Sequence, residues 1–165
     1  MARPARHADP DKILSPARTF FATTRTSQGR QLLQSERNAA LMIDVLRSYV
    51  AAGKFRLHDF VTMPNHMHLL ITVGGDTAIE KAMQFIKGGY SHRHMKETES
   101  RTEIWKRSFT NHRIRDWNDY EKHRHYIHFN PVNAGLSQLP QRYPYCSACS
   151  GFLLDPAPQR LKPVA

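Results

Sequence analysis

The chain has 165 residues, 40% of them hydrophobic and 23% charged, a composition that fits one globular domain and excludes a disordered or membrane-embedded chain. No apolar run approaches the roughly 20 residues of a bilayer span, no signal peptide is visible, and two cysteines exclude a disulfide-built scaffold, so a cytoplasmic protein with no membrane contact is expected. Twenty-four Lys and Arg against fourteen Asp and Glu leave a net charge of +10, which suits a nucleic-acid partner because each phosphate contact releases counterions; the plain alternative is a basic surface kept for solubility.

Residues 1–17 read as a flexible basic tail, with Pro4, Pro10 and Pro16 blocking regular structure. Residues 18–25 are aromatic and β-branched and read as a first strand. Leu32, Leu33, Ala40, Leu41, Ile43, Val45, Leu46 and Val50 stand at helical spacing, predicting a helix over 30–52 that Gly53 ends. Residues 55–62 alternate as a second strand, Met63-Pro64-Asn65 turns, and 66–73 form a third strand closed by Gly74-Gly75. A helix follows over 77–96, weakened internally by Gly88-Gly89. Residues 97–103 read as a loop and 105–115 as a short fourth strand or an extended segment. Asp116 is a plausible N-cap for a helix over 117–130 that Pro131 should end nearby. Residues 140–165, with five prolines, read as an extended tail, packed or frayed.

The order β-α-β-β-α-β and then a helix predicts an α+β fold. It is a ferredoxin-like βαββαβ antiparallel sheet with helices on one face, plus a C-terminal helix. One domain over 18–150 is expected, with a Pro-rich C-terminal tail over 151–165.

His66 and His68 share one face of the third strand, where two imidazoles could converge on one metal while Met67 points into apolar packing. Such a pair is as readily structural, but two polar rings in an apolar strand need a partner. His92/His94 and His123/His125 fall in predicted helix, where i and i+2 do not face each other, and read as surface or phosphate-contacting residues. Tyr126 has Asn130 one helical turn later. The bland reading is a helix tyrosine before a capping Asn and Pro. The functional one is a nucleophile beside a metal-ligating amide, since a tyrosine hydroxyl, with an ordinary pKa near 10, needs activation by a cation or base. The segment 101–117 interleaves Arg101, Lys106, Arg107, Arg113 and Arg115 with Trp105, Phe109 and Trp117. Stacked rings among charges suit single strands, unless the rings are core and only the charges are exposed. Lys87 is a further candidate phosphate contact. Cys146 and Cys149 read as free thiols, with structural zinc or redox chemistry as alternatives.

These segments resemble the HUH-type single-tyrosine transposases (IS200-like domain), and among them the REP-associated tyrosine transposases. Residues 20–23 look like the family's first strand. Met63-Pro64-Asn65-His66-Met67-His68-Leu69-Leu70-Ile71 is similar to its histidine motif. Residues 126–136 resemble its tyrosine helix and following Asn-Pro-Val, and 143–148 its C-terminal Tyr-Pro segment, with Cys146 where Ser is usual. The resemblance implies a single-stranded DNA endonuclease and strand transferase acting at hairpin-flanked sites through a 5′-phosphotyrosine. By position, Tyr126 is the nucleophile, and His66, His68 and Asn130 ligate Mg2+ or Mn2+. Expected partners are single-stranded DNA and DNA hairpins, with the protein a monomer or homodimer. A non-catalytic nucleic-acid-binding domain on the same fold is the alternative, and a small metal-dependent hydrolase a third.

Overall fold

The computed structural model describes residues 17–158 and 161; most of the expected basic tail, 1–16, lies outside them. The elements are β1 (Arg18–Thr26), α1 (Glu36–Ala51), β2 (Arg56–Met63), β3 (His66–Val73), α2 (Ile79–Thr98), β4 (Trp105–Arg113) and α3 (Trp117–Asn133). Four strands form one antiparallel sheet in the order β2-β3-β1-β4, the split-βαβ arrangement expected from the element order. No helix among the described residues is long and apolar enough to cross a membrane.

Alternation along the strands divides the sheet into two unlike faces. Phe20 and Ala22 of β1 and Met67, Leu69, Ile71 and Val73 of β3 pack with Met42, Leu46, Met83 and Ile86 of α1 and α2 in the main core. The opposite face carries Phe21, Val61, Leu70 and the histidine motif, and α3 covers it through Tyr120 and Ile127.

Three local features of the helices have physical reasons. Helix α1 starts at Glu36 rather than near residue 30, because Ser35 caps it by accepting from the Asn38 amide (3.2 Å) and the preceding chain is held to the β2–β3 turn by Leu33 N to Pro64 O (2.9 Å). Helix α2 runs unbroken through Gly88-Gly89: a Cβ on Gly89 would stand 2.5 Å from Tyr49 Oη, so the glycine admits α1's tyrosine. Helix α3, capped by Asp116 (Asp119 N to Oδ1, 2.8 Å), ends near Pro131 as expected, at Asn133, with the proline inside its last turn. Proline removes the amide that would bond the carbonyl four residues back. That carbonyl belongs to Ile127, and the buried Cys146 thiol donates to it at 3.8 Å.

The segment after α3 is packed. Tyr143 Oη donates to Thr62 O (2.8 Å), Cys146 bridges to Val61 of β2, and Asp155 exchanges bonds with Leu57 through Asp155 N to Leu57 O (2.9 Å) and Leu57 N to Asp155 Oδ2 (2.8 Å). Contact with the sheet therefore continues past residue 150.

Candidate active site

The β2–β3 turn and α3 bring His66, His68, Tyr126 and Asn130 together. The His68 ring lies 4.8 Å from His66 and 5.2 Å from Tyr126, centroid to centroid, both edge-on. The Asn130 side chain lies close enough to His66 to oppose the lowering of its pKa. Each imidazole is oriented through its other nitrogen: His66 Nδ1 donates to Asn65 Oδ1 (2.6 Å), and His68 Nδ1 pairs with Thr23 Oγ1 (2.7 Å). His68 Nε2 is left buried without a hydrogen-bond partner. A buried polar atom of this kind needs one, and a divalent cation at His66, His68 and Asn130 would supply it. The two oriented imidazoles and the amide fit such an ion.

Electrostatics favour the neutral form of both rings, the form able to bind a metal. Burial lowers the His68 pKa to about 3, helped by His66 and by the Arg25 guanidinium. Burial also lowers His66, with Arg25 adding to the shift and the Asn130 side chain opposing it. Tyr126, by contrast, is 47% exposed.

The expected DNA-binding residues are not gathered in one place. Lys106 and Arg107 line an open groove of about 500 Å³ with Arg25, Ser27, Gln28 and Asn65, the neighbour of His66. Arg101 and Arg115 are exposed in the segments flanking β4. Arg113 pairs with Phe20 and so stands on the α1/α2 side of the sheet, away from Tyr126. Lys87 turns inward, donating to the carbonyls of Lys106 (2.7 Å) and Arg107 (3.3 Å), where burial lowers its pKa. Trp105 is a correction: its ring is buried in the core against Tyr90 and its Nε1 donates to Lys87 O (3.0 Å), so it offers no face to a base. Phe109 and Trp117 are likewise partly buried against the two cores.

Of the other His-Arg-His pairs, His92 and His125 are exposed as expected, and the other two histidines are not. His94 is buried and stacks on Tyr90 (5.7 Å), so it is not a surface contact. His123 belongs to a cluster with His112 and Asp119: His112 Nε2 lies 2.8 Å from Asp119 Oδ2 and His123 Nδ1 3.2 Å from Oδ1. His125 stacks on Phe129 (4.3 Å). Both cysteines are free, and burial raises Cys146 to about 11.

Four residues at the site escape a reading of spacing alone: Phe21, Thr23, Arg25 and Asn65. Thr23 pairs with His68 and Arg25 with His66 across β1–β3, so register places them there. Asn65 was visible, but as a turn residue.

Comparison with known proteins points the same way. The family described as Transposase IS200 like matches residues 22–130. A REP-associated tyrosine transposase of Escherichia coli (strain K12) is 30% identical over 131 residues, 76% of this chain and 73% of that protein. A putative REP-associated tyrosine transposase of Haemophilus influenzae is 25% identical over 133 residues, 70% and 76% of the two chains. Among solved structures, a REP-associated tyrosine transposase bound to a REP hairpin aligns with TM-score 0.63 at 25% identity, covering 88% of this chain and 82% of that one. A putative transposase from Deinococcus radiodurans aligns with TM-score 0.51 at 18% identity over 76% and 95%, a likeness of fold alone.

Proposed function

This chain belongs to the IS200-like transposase family, and we propose that it cuts and rejoins single-stranded DNA beside a hairpin, holding the 5′ end on Tyr126. One observation carries the reading: the exposed Tyr126 ring lies 5.2 Å from His68, whose Nε2 is buried and unpartnered. Nucleophile and ligand set therefore address one phosphate.

In the proposed reaction Tyr126 Oη forms a bond to phosphorus, the P–O3′ bond breaks, the phenolic proton passes to water and the 3′ oxygen leaves as a hydroxyl. The reverse step, attack by a 3′-OH, rejoins the strand and frees Tyr126. His66, His68 and Asn130 would hold Mg2+ or Mn2+, which when bound polarises the phosphate and stabilises the developing charge. Thr23 and Asn65 fix which nitrogen each histidine presents. Helix α3 carries both Tyr126 and Asn130, so its rigidity sets the distance between nucleophile and ligand. Arg25, Lys106 and Arg107 along the groove are placed to follow the phosphate backbone toward His66. The hairpin as partner is supported by the likeness to a relative whose structure holds a REP hairpin.

The test is a hairpin-flanked single-stranded oligonucleotide incubated with the protein and Mg2+ or Mn2+. A covalent protein–DNA adduct should form, map to Tyr126 by peptide sequencing, and vanish in Tyr126→Phe with DNA binding retained. Full cleavage in chelator would overturn the metal assignment. Binding without any cleavage, with metal present, would favour the non-catalytic alternative.

A further inference from the structure

A second histidine cluster lies 4.7 Å beyond Phe21, on the side away from His68, and the reaction above makes no use of it. His112 comes from β4, and Asp119 and His123 from the first two turns of α3. Their ligand atoms all lie within 4.8 Å of one another. His112 Nε2 is 2.8 Å from Asp119 Oδ2, His123 Nδ1 is 3.2 Å from Oδ1, and the two imidazoles stack at 4.8 Å with 20° between their planes.

We infer that His112, Asp119 and His123 form a second metal site, separate from His66, His68 and Asn130, that takes a divalent transition ion such as Zn2+. Donors on a tetrahedral zinc with bonds of about 2.0–2.1 Å stand roughly 3.3 Å apart, so the carboxylate is already at near-ligating separation from each ring. Two imidazoles and one carboxylate suit Zn, Ni or Co, whereas Mg prefers an all-oxygen shell. Three protein ligands leave a fourth position for water. The site is reachable, with side-chain exposures of 43% for His112, 18% for Asp119 and 19% for His123.

Before an ion binds, both ligand nitrogens donate, His112 Nε2 to Asp119 Oδ2 (2.8 Å) and His123 Nδ1 to the Asp119 carbonyl (2.8 Å), so binding moves each ring's proton to its other nitrogen. A neutral imidazole carries one N–H, so His112 frees Nε2 by moving its proton to Nδ1. His123 Nδ1 gives up its bond to the Asp119 carbonyl (2.8 Å). The Asp119 carboxylate keeps the Arg115 amide on Oδ2 (3.1 Å), which orients it. Asp119 is also the more fully ionised: burial raises its pKa, but the His112 hydrogen bond, the Arg115 amide and both histidines outweigh that and hold it below the usual carboxylate range. An ion here would tie the start of α3 to β4, one turn before Tyr126.

The experiment uses the full, tag-free chain carrying His66→Ala and His68→Ala, so that the first candidate site is removed. Equilibrium dialysis against Zn2+ alone should show one ion bound per chain. His112→Gln and His123→Gln, each added to that background, should each reduce it to none. Co2+ in the background protein should shift the ring-proton resonances of His112 and His123, a reading that needs no substitution in the cluster. No bound ion in the background protein, retention in either glutamine variant, or unshifted His112 and His123 resonances would overturn the site and leave a hydrogen-bonded triad.

Discussion

The two faces of the sheet are made by alternate residues of the same strands, yet they obey different rules. Toward α1 and α2 the β3 residues are Met67, Leu69, Ile71 and Val73, each wholly buried among aliphatic neighbours. Toward α3 the intervening residues are His66, His68, Leu70 and Thr72, and β1 meets them with Arg25, Thr23, Phe21 and Thr19. The first face is held by non-directional burial. The second adds to a smaller apolar cluster under α3 a set of paired polar groups, Thr23 with His68 (2.7 Å) and Thr19 with Thr72 (2.7 Å) among them. One face supplies stability, and the other spends part of it on exact side-chain orientation.

Leu69→Ala and His68→Ala, neighbours on opposite faces, should separate these roles most sharply. Leu69→Ala should lower unfolding free energy by about 2–5 kcal/mol in urea melts while cleavage per folded molecule is kept. His68→Ala should cost only about 1 kcal/mol of stability, since it removes an unpartnered nitrogen as well as a hydrogen bond. Its cleavage rate should drop on the order of 10²–10³-fold. Equal loss of cleavage in both variants would erase the distinction between the faces.

Next in size is the clamp on α3. Asp59 is 5% exposed and accepts from His128 Nε2 (2.7 Å) and Ser147 Oγ (2.8 Å), with Arg124 Nε 3.5 Å away. One carboxylate thus joins β2, the tyrosine helix and the C-terminal segment. Asp59→Ala should destabilise by about 3 kcal/mol and slow cleavage although Tyr126 is untouched. Asp59→Asn, which keeps an acceptor, should recover most of both, measured by urea melts beside the nicking rate.

The element order, the shared face of His66 and His68, and the turn from Tyr126 to Asn130 were legible because each depends on spacing within one element. Thr23, Arg25 and the His112–Asp119–His123 cluster depend on which strands pair and in what register, and no local pattern carries that. Trp105 and His94 misled for a related reason: an aromatic or imidazole in a basic segment reads the same whether it points to solvent or into a core. The Cys146 thiol on the Ile127 carbonyl, at the turn where Pro131 supplies no amide, is illegible for the same reason, because it joins distant segments.

Acid should act on the polar face in a smaller, graded way. His58 is 4% exposed, with Nε2 2.7 Å from Thr72 Oγ1 and Nδ1 3.3 Å from the Asp155 carbonyl. Burial lowers its pKa despite the opposing pull of Asp155 and Asp59. The unfolded chain therefore takes up a proton near pH 6.5 that the folded chain refuses, and stability falls as pH drops below that value, by at most about 1.4 kcal/mol per pH unit for this one group. Urea melts between pH 5 and pH 8 (a range set about the ordinary histidine value) should show a slope that shrinks in His58→Gln. An unchanged slope would assign the acid sensitivity to other groups.

The smallest expected effect tests how α3 survives its proline. Without a residue-131 amide, the Ile127 carbonyl depends on the Cys146 thiol, 3.8 Å away and buried. A thiol is a weak donor, so its loss should lie near the low end for a stranded carbonyl, about 1 kcal/mol, in addition to the lost sulfur packing. Cys146→Ser supplies a stronger donor and should cost less than Cys146→Ala. The decisive comparison is a double-mutant cycle with Pro131→Ala, which restores the helix's own amide to Ile127. If the thiol replaces that amide, Cys146→Ala should cost about 1 kcal/mol less in the Pro131→Ala background than in the native chain. Additive effects would mean that sulfur packing alone accounts for Cys146. The same burial, which raises the thiol to about 11, should leave Cys146 unreactive toward alkylating reagents in the folded protein while the partly exposed Cys149 reacts.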